Sequence, residues 1–297
     1  MAEYQLQSKK LRLTVSDHGA EIKSLVNLET GKEYMWQADP AYWKRTAPIL
    51  FPLVGNYRDK TSCYDGKEYH MSQHGFARDM DFKLNGKDNI SLCFLLQDTE
   101  ETREKYPFAF RLYVNYVLHD DFLSVTWTVE NRDDKDMYFS IGGHPAFNCN
   151  LETDSLLFHV DDQYVNGPLV SGVIANDGSG CLSERQKVLP LEEGVLKLSP
   201  ALFDEDALIL EHPQARQVTL LDKDRKAVLE LDFRFFKPGV MGIWSSPGKN
   251  APFVCIEPWH GRTDRVDFSK KLEEREYGKV LRPEEAFVSI YNIKLPR

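Results

Sequence analysis

The sequence predicts an all-β fold, a sandwich or barrel of antiparallel strands with a few short helices, and three observations carry that expectation. Apolar residues alternate at a period of two in short runs, helical periodicity is scarce, and Gly, Asn, Asp or charged residues separate the runs. Along residues 122–130, Leu123, Val125, Trp127 and Val129 fall on one face and Ser124, Thr126 and Thr128 on the other, as in a half-buried strand. In chain order, comparable runs at 11–15, 90–96, 110–118, 156–160, 217–221, 227–233, 253–257 and 287–293 read as strands, with a shorter one at 137–141. The candidate helices are 40–44, 99–105, 199–203 and 270–276, none with a long apolar stripe at helical spacing. Many strands with few crossover helices require antiparallel pairing, because each parallel return needs a long connection. Residues 166–180, rich in Gly, Asn and Ser, read as an irregular surface loop. No internal repeat or composition shift divides the chain, so one domain spanning 1–297 is expected.

Composition narrows the function classes. The 297 residues are 42% hydrophobic and 12% aromatic, ample for a packed core. The net charge is −9 and the basic residues are scattered without a Lys/Arg block, which argues against a nucleic-acid or anionic-membrane partner. The first ten residues are polar, and no apolar run approaches the roughly 18 residues of a membrane span, so a cytoplasmic protein is expected. Cys63, Cys93, Cys149, Cys181 and Cys255 lie far apart with no C-x-x-C pair, which suits reduced core thiols better than a disulfide framework or a zinc site.

Four segments place polar groups among glycine, proline and aromatic residues. In 47–58 two prolines interrupt an apolar run that ends at Arg58, a poor central strand; the arginine is either a surface group or a ligand contact. His74-Gly75-Phe76-Ala77-Arg78 can aim an imidazole and a guanidinium at one small ligand, or His74 can simply satisfy loop backbone. In Gly142-Gly143-His144-Pro145-Ala146-Phe147 the glycines permit close backbone approach, and Pro145 biases His144 toward extended geometry at a strand end, suiting a fixed proton donor. Finally, Ile256-Glu257-Pro258-Trp259 closes an apolar strand with a carboxylate whose pKa burial would raise toward that of a useful base, and Trp259 can cover the apolar face of a sugar. An edge-strand ion pair of Glu257 with Arg262 or Arg265 is the plainer alternative. The acidic stretch Asp204-Glu205-Asp206 reads as a solvated turn or as a source of one hydroxyl-binding carboxylate. His260, Arg262 and Asp264 follow the glutamate as possible supports.

Together, the three His/Glu motifs resemble the aldose 1-epimerase family, in particular its LacX-like bacterial branch, over residues 47–264 or so. The resemblance implies a large antiparallel β-sandwich of the galactose mutarotase-like type and an isomerase interconverting the α and β anomers of a hexose. It implies His144 as general acid at the ring oxygen, Glu257 as general base at the anomeric hydroxyl, and His74, Arg78 and Asp206 as sugar-binding groups, with Arg58 a looser match. No metal and no cofactor are implied, since ring opening needs only one proton given and one removed, each transfer worth on the order of 10²–10⁴-fold. The expected partner is a small-molecule sugar, an aldohexose or its 6-phosphate, with the protein a monomer or homodimer. Two rivals remain at this point: a non-catalytic carbohydrate-binding or sensing protein, and a glycoside hydrolase using Asp206 with Glu257.

Overall fold

The structure, a computed structural model, describes residues 1–161, 163–212, 214–234 and 239–296. Within these, a ten-stranded antiparallel sheet runs from Gln163–Tyr164 through Ser155–Val160, Gln217–Leu221, Ala227–Asp232, Ala286–Lys294, Phe122–Asn131, Phe110–Leu118 and Ser91–Gln97 to Lys83–Lys87, with Val195–Lys197 added beside Ser155–Val160. A second antiparallel sheet of eight strands orders Leu182–Leu189, Leu169–Ile174, Leu208–Glu211, Val240–Trp244, Phe253–His260, Ile141–Gly143 and Ile49–Leu50, with Ala146–Asn148 also on Phe253–His260.

The predicted alternation is visible in burial. Along Phe110–Leu118 every second side chain is buried, and the inward face of Phe122–Asn131 brings Trp127 to the interior. The sheets close on each other there: a Cβ added at Gly143 of the smaller sheet would meet Trp127 and Tyr291 of the larger one at 3.2 Å. On Phe253–His260, Val254 and Ile256 join this inter-sheet core. The alternate residues Phe253, Cys255, Glu257 and Trp259 therefore face the other side of the small sheet, where the candidate site lies.

Three local expectations need correction. Residues 40–44 form turns rather than a helix, because Asp39 captures the backbone of the next residues: its carboxylate accepts from the Ala41 amide at 2.9 Å and its carbonyl from Tyr42 and Trp43 at 3.0 Å. Residues 166–180 include a strand, Leu169–Ile174, paired with Leu182–Leu189, and the irregular stretches are those before and after it. The third concerns residue 257, which does not end its strand. Pairing resumes beyond Pro258, where Trp259 opposes Gly142 on one side and Val240 on the other. The segments 99–105, 199–203 and 270–276 do hold helical turns, at Glu100–Lys105, Pro200–Phe203 and Leu272–Glu274.

Candidate active site

Strand register assembles the central pair. Gly142 opposes Trp259 and Ala146 opposes Cys255. Each of these pairs lies two residues from His144 on one strand and two from Glu257 on the other, so His144 falls directly opposite Glu257, on the same face. On its other side Glu257 opposes Gly242, whose missing side chain makes room for the Trp259 indole: a Cβ there would lie 2.4 Å from the ring. His144 Nε2 and Glu257 Oε2 are 3.3 Å apart, on side chains 9% and 1% exposed.

Apart from this contact with each other, neither group of the pair is satisfied by the protein. Both Glu257 oxygens and His144 Nδ1 are buried without a hydrogen-bond partner, and so is the Trp259 indole nitrogen. Burial therefore raises the Glu257 pKa well above the usual carboxylate range, with the nearby Trp259 pulling it down and the charge of Asp206 pushing it up. Burial, together with the cations Arg78 and Arg45, lowers His144 to about 3. Burial thus favours the uncharged form of each partner, a carboxyl proton on Glu257 and a free lone pair on the His144 ring.

His74 reaches the same place from a strained loop. It has φ 66° and is followed by Gly75 at φ 73°, where a Cβ would lie 2.3 Å from the Phe51 carbonyl oxygen, so only glycine fits. The Gly55 amide donates to His74 Nδ1 at 3.1 Å, and the His74 amide donates to the Gly55 carbonyl at 2.8 Å. Because Nδ1 accepts, the neutral ring carries its proton on Nε2. Burial first, then His144, Arg78 and Arg45, holds the ring well below its ordinary pKa. The His74 and His144 rings meet edge to face, with centroids 5.7 Å apart.

A cavity of about 220 Å³ joins these groups, lined by His74, Arg78, His144, Asp206, Glu257 and Trp259 along with Trp43, Trp244 and Thr263. It is smaller than the roughly 300–1,000 Å³ of drug-sized pockets and suits one monosaccharide ring. Gln73, Ile174, Gly180, Asp206 and Pro247 also line a wider groove of about 1340 Å³ into which it opens. Asp206 lines the cavity while Asp204 and Glu205 line only the groove. Burial raises the Asp206 pKa, against the pull of the Ala207 amide and Trp244. Arg78 donates to the Gln73 carbonyl at 2.6 Å, and burial lowers its pKa to about 10.

The structure sets the remaining candidate residues in different places. Arg58 is not among the cavity's lining; its guanidinium donates to the Phe268 carbonyl at 2.7 Å. Trp259 lies against the glycine positions 142 and 242, so its indole is part of the cavity wall. Arg262 and Arg265 pair with Glu211 and Glu276 instead of Glu257. His260 points to the opposite face and contacts Ser289 Oγ at 3.0 Å. What the sequence did not single out is an aromatic flank: Trp43 stacks on His144 at 4.8 Å, and Trp244 meets it edge-on at 5.4 Å. Trp43 was hidden in a turn mistaken for a helix, and Trp244 in a strand buried on both faces.

Comparison with known proteins places the chain as a whole. A family model described as aldose 1-epimerase matches residues 2–274. The LacX proteins of Lactococcus lactis subsp. lactis, plasmid and chromosomal, are each 30% identical over 279 residues, covering 91% of this chain and 92% of theirs. Among solved structures, a galactose mutarotase related enzyme from Lactobacillus acidophilus is 35% identical with a TM-score of 0.90, covering 100% of this chain and 98% of its own. A galactose mutarotase-like protein from Lactobacillus casei is 31% identical with a TM-score of 0.91, covering 99% and 100%.

Proposed function

The chain belongs to the aldose 1-epimerase family, and from that premise we propose that it interconverts the α and β anomers of a hexose by opening and reclosing the sugar ring at His144 and Glu257. The observation that carries this reading is the buried pair at 3.3 Å on one cavity wall, with no hydrogen bond to the rest of the protein from the Glu257 oxygens or His144 Nδ1. The anomeric oxygen and ring oxygen share one carbon, so the groups that serve them must stand side by side, as these do. Membership of a family of epimerases supports an isomerase over a hydrolase.

The pair supplies one proton and one vacancy, which is what ring opening consumes. Glu257 takes the anomeric proton while His144 gives one to the ring oxygen, leaving an open-chain aldehyde. Rotation about the C1–C2 bond and reclosure with roles reversed deliver the other anomer. Burial favours the carboxyl proton on Glu257, 3.3 Å from His144 Nε2, so this division of labour requires sugar binding to shift the preference toward a protonated His144. Sugar hydroxyls donating to the bare carboxylate favour that shift. His74, with its fixed Nε2 proton, donates to a sugar oxygen; Asp206 and Arg78 hold hydroxyls; Trp43 and Trp244 offer apolar faces to the ring.

Polarimetry or exchange NMR on freshly dissolved α-anomers of glucose, galactose and their 6-phosphates tests this reading. Accelerated approach to anomeric equilibrium with at least one of them is expected, and its absence with all four would overturn the reading. Among the described residues no helix is long and apolar enough to cross a membrane, and a cytoplasmic setting with a free sugar as partner is part of the same proposal.

A further inference from the structure

On the strand Phe253–His260, Cys255 lies two residues from Glu257 on the same face, and His144 stands opposite Glu257. Their ligand atoms, an imidazole nitrogen, a thiol sulfur and a carboxylate oxygen, all lie within 4.8 Å of one another, on three buried residues. Neither carboxylate oxygen makes a hydrogen bond on a glutamate that is 0% exposed, and the imidazole 3.3 Å from it, His144 Nε2, is itself one of the three donors. We infer that His144, Cys255 and Glu257 form a binding site for a thiophilic divalent cation of the Zn²⁺ type, and that a bound cation shuts down the proton-transfer pair.

Chemistry selects the class of cation. Nitrogen, sulfur and oxygen donors together suit Zn²⁺ and its soft neighbours, whereas Mg²⁺ and Ca²⁺ take oxygen ligands. Tetrahedral zinc with these donors holds them roughly 3.4–3.8 Å apart, which shifts of about 1 Å in three side chains achieve. Since His144 and Glu257 line the cavity, the remaining coordination position lies on the cavity side. Burial favours the protonated thiol of Cys255 and the protonated carboxyl of Glu257. From the doubly protonated form, binding one M²⁺ with release of both protons leaves the site uncharged before and after. A buried location tolerates such an exchange far better than it would an added charge. The cation occupies the imidazole lone pair and the carboxylate that ring opening needs. That consequence rests on the function proposed above; the site itself does not.

Cobalt(II) is the probe. Added to the metal-free protein, it should produce a thiolate-to-cobalt charge-transfer band in the near ultraviolet. Cys255→Ser and Cys255→Ala should lose the band and bind Zn²⁺ at least about tenfold more weakly, as expected for removal of a direct ligand. Cys149→Ser should keep both. Zn²⁺ should stop anomer exchange by the wild type, reversibly with a chelator, while Cys255→Ser retains the basal rate and needs at least about tenfold more Zn²⁺ for the same inhibition. No cobalt band in the wild type, or a band that survives both Cys255 variants, overturns the site. A band with an unchanged exchange rate at saturating metal overturns the shutdown. A protein without epimerase activity would leave the cobalt titration as a complete test of the site.

Discussion

Two buried charged regions flank the end of the strand Phe253–His260, and they are built on opposite terms. At Glu257 the carboxylate is enclosed with both oxygens unpartnered, beside an imidazole whose Nδ1 is also unpartnered. A few residues later Arg262 donates to Glu211, Glu276 and the Thr263 carbonyl, the last at 2.8 Å. Arg275 donates to Asp264 at 2.7 Å, to Ser140 at 2.8 Å and to the Arg262 carbonyl at 2.6 Å. In the second region each guanidinium has several acceptors, so the charges can stay ionised and tie loops to the sheet. In the first, the missing partners favour the neutral forms and leave hydrogen-bonding capacity for a ligand. Charge burial alone does not separate structure from function; completeness of the partners does.

The largest effect that sharpens this contrast is on rate. Glu257→Gln should lower anomer exchange by on the order of 10²–10⁴-fold while sugar affinity stays within about tenfold, measured by exchange NMR and by titration calorimetry. The same variant should not unfold. A folded state that keeps a proton which the unfolded chain releases loses stability as pH rises above the ordinary glutamate pKa, and Gln has no such dependence. Thermal denaturation should therefore show Glu257→Gln gaining on the wild type from acid toward neutral pH; a constant difference would break the assignment of the buried proton.

Next in size is the satisfied region. Arg275→Ala strands Asp264, whose side chain is 3% exposed, and should cost about 3–5 kcal/mol of stability by denaturant unfolding. The folded fraction should retain its exchange rate within a few-fold. A large loss of rate without loss of stability would erase the distinction between the two regions.

The smallest effect is expected at Arg58, whose guanidinium faces Phe268 rather than the cavity. Arg58→Ala should leave kcat/KM within about twofold for any hexose or hexose 6-phosphate. A selective loss with phosphorylated sugars would bring this arginine to the ligand.

Legibility in the sequence followed physical environment. Strands with one wet face, such as Phe110–Leu118, announced themselves by alternation. Val240–Trp244, almost wholly buried, and Leu182–Leu189, a mostly exposed polar strand, carry no such period and escaped notice. His144 and Glu257 stood out because each precedes a proline in an otherwise apolar setting, and a cross-strand register unreadable from either segment alone sets them opposite each other. The tautomer of His74 depends on an amide 19 residues away, and the partners of Arg262 on Glu211 and Glu276, so both are properties of the tertiary structure. Trp43 reaches His144 only because Asp39 closes a turn.

Whether His144 and Glu257 work as one unit is decided by a double-variant cycle on anomer exchange, comparing His144→Gln, Glu257→Gln and the combined protein under saturating sugar. Sharing a single transferable proton predicts that the combined protein is no slower, within about threefold, than the slower single variant, as for groups that act only together. Losses that multiply across the two sites, or a single variant that keeps the wild-type rate, would contradict it.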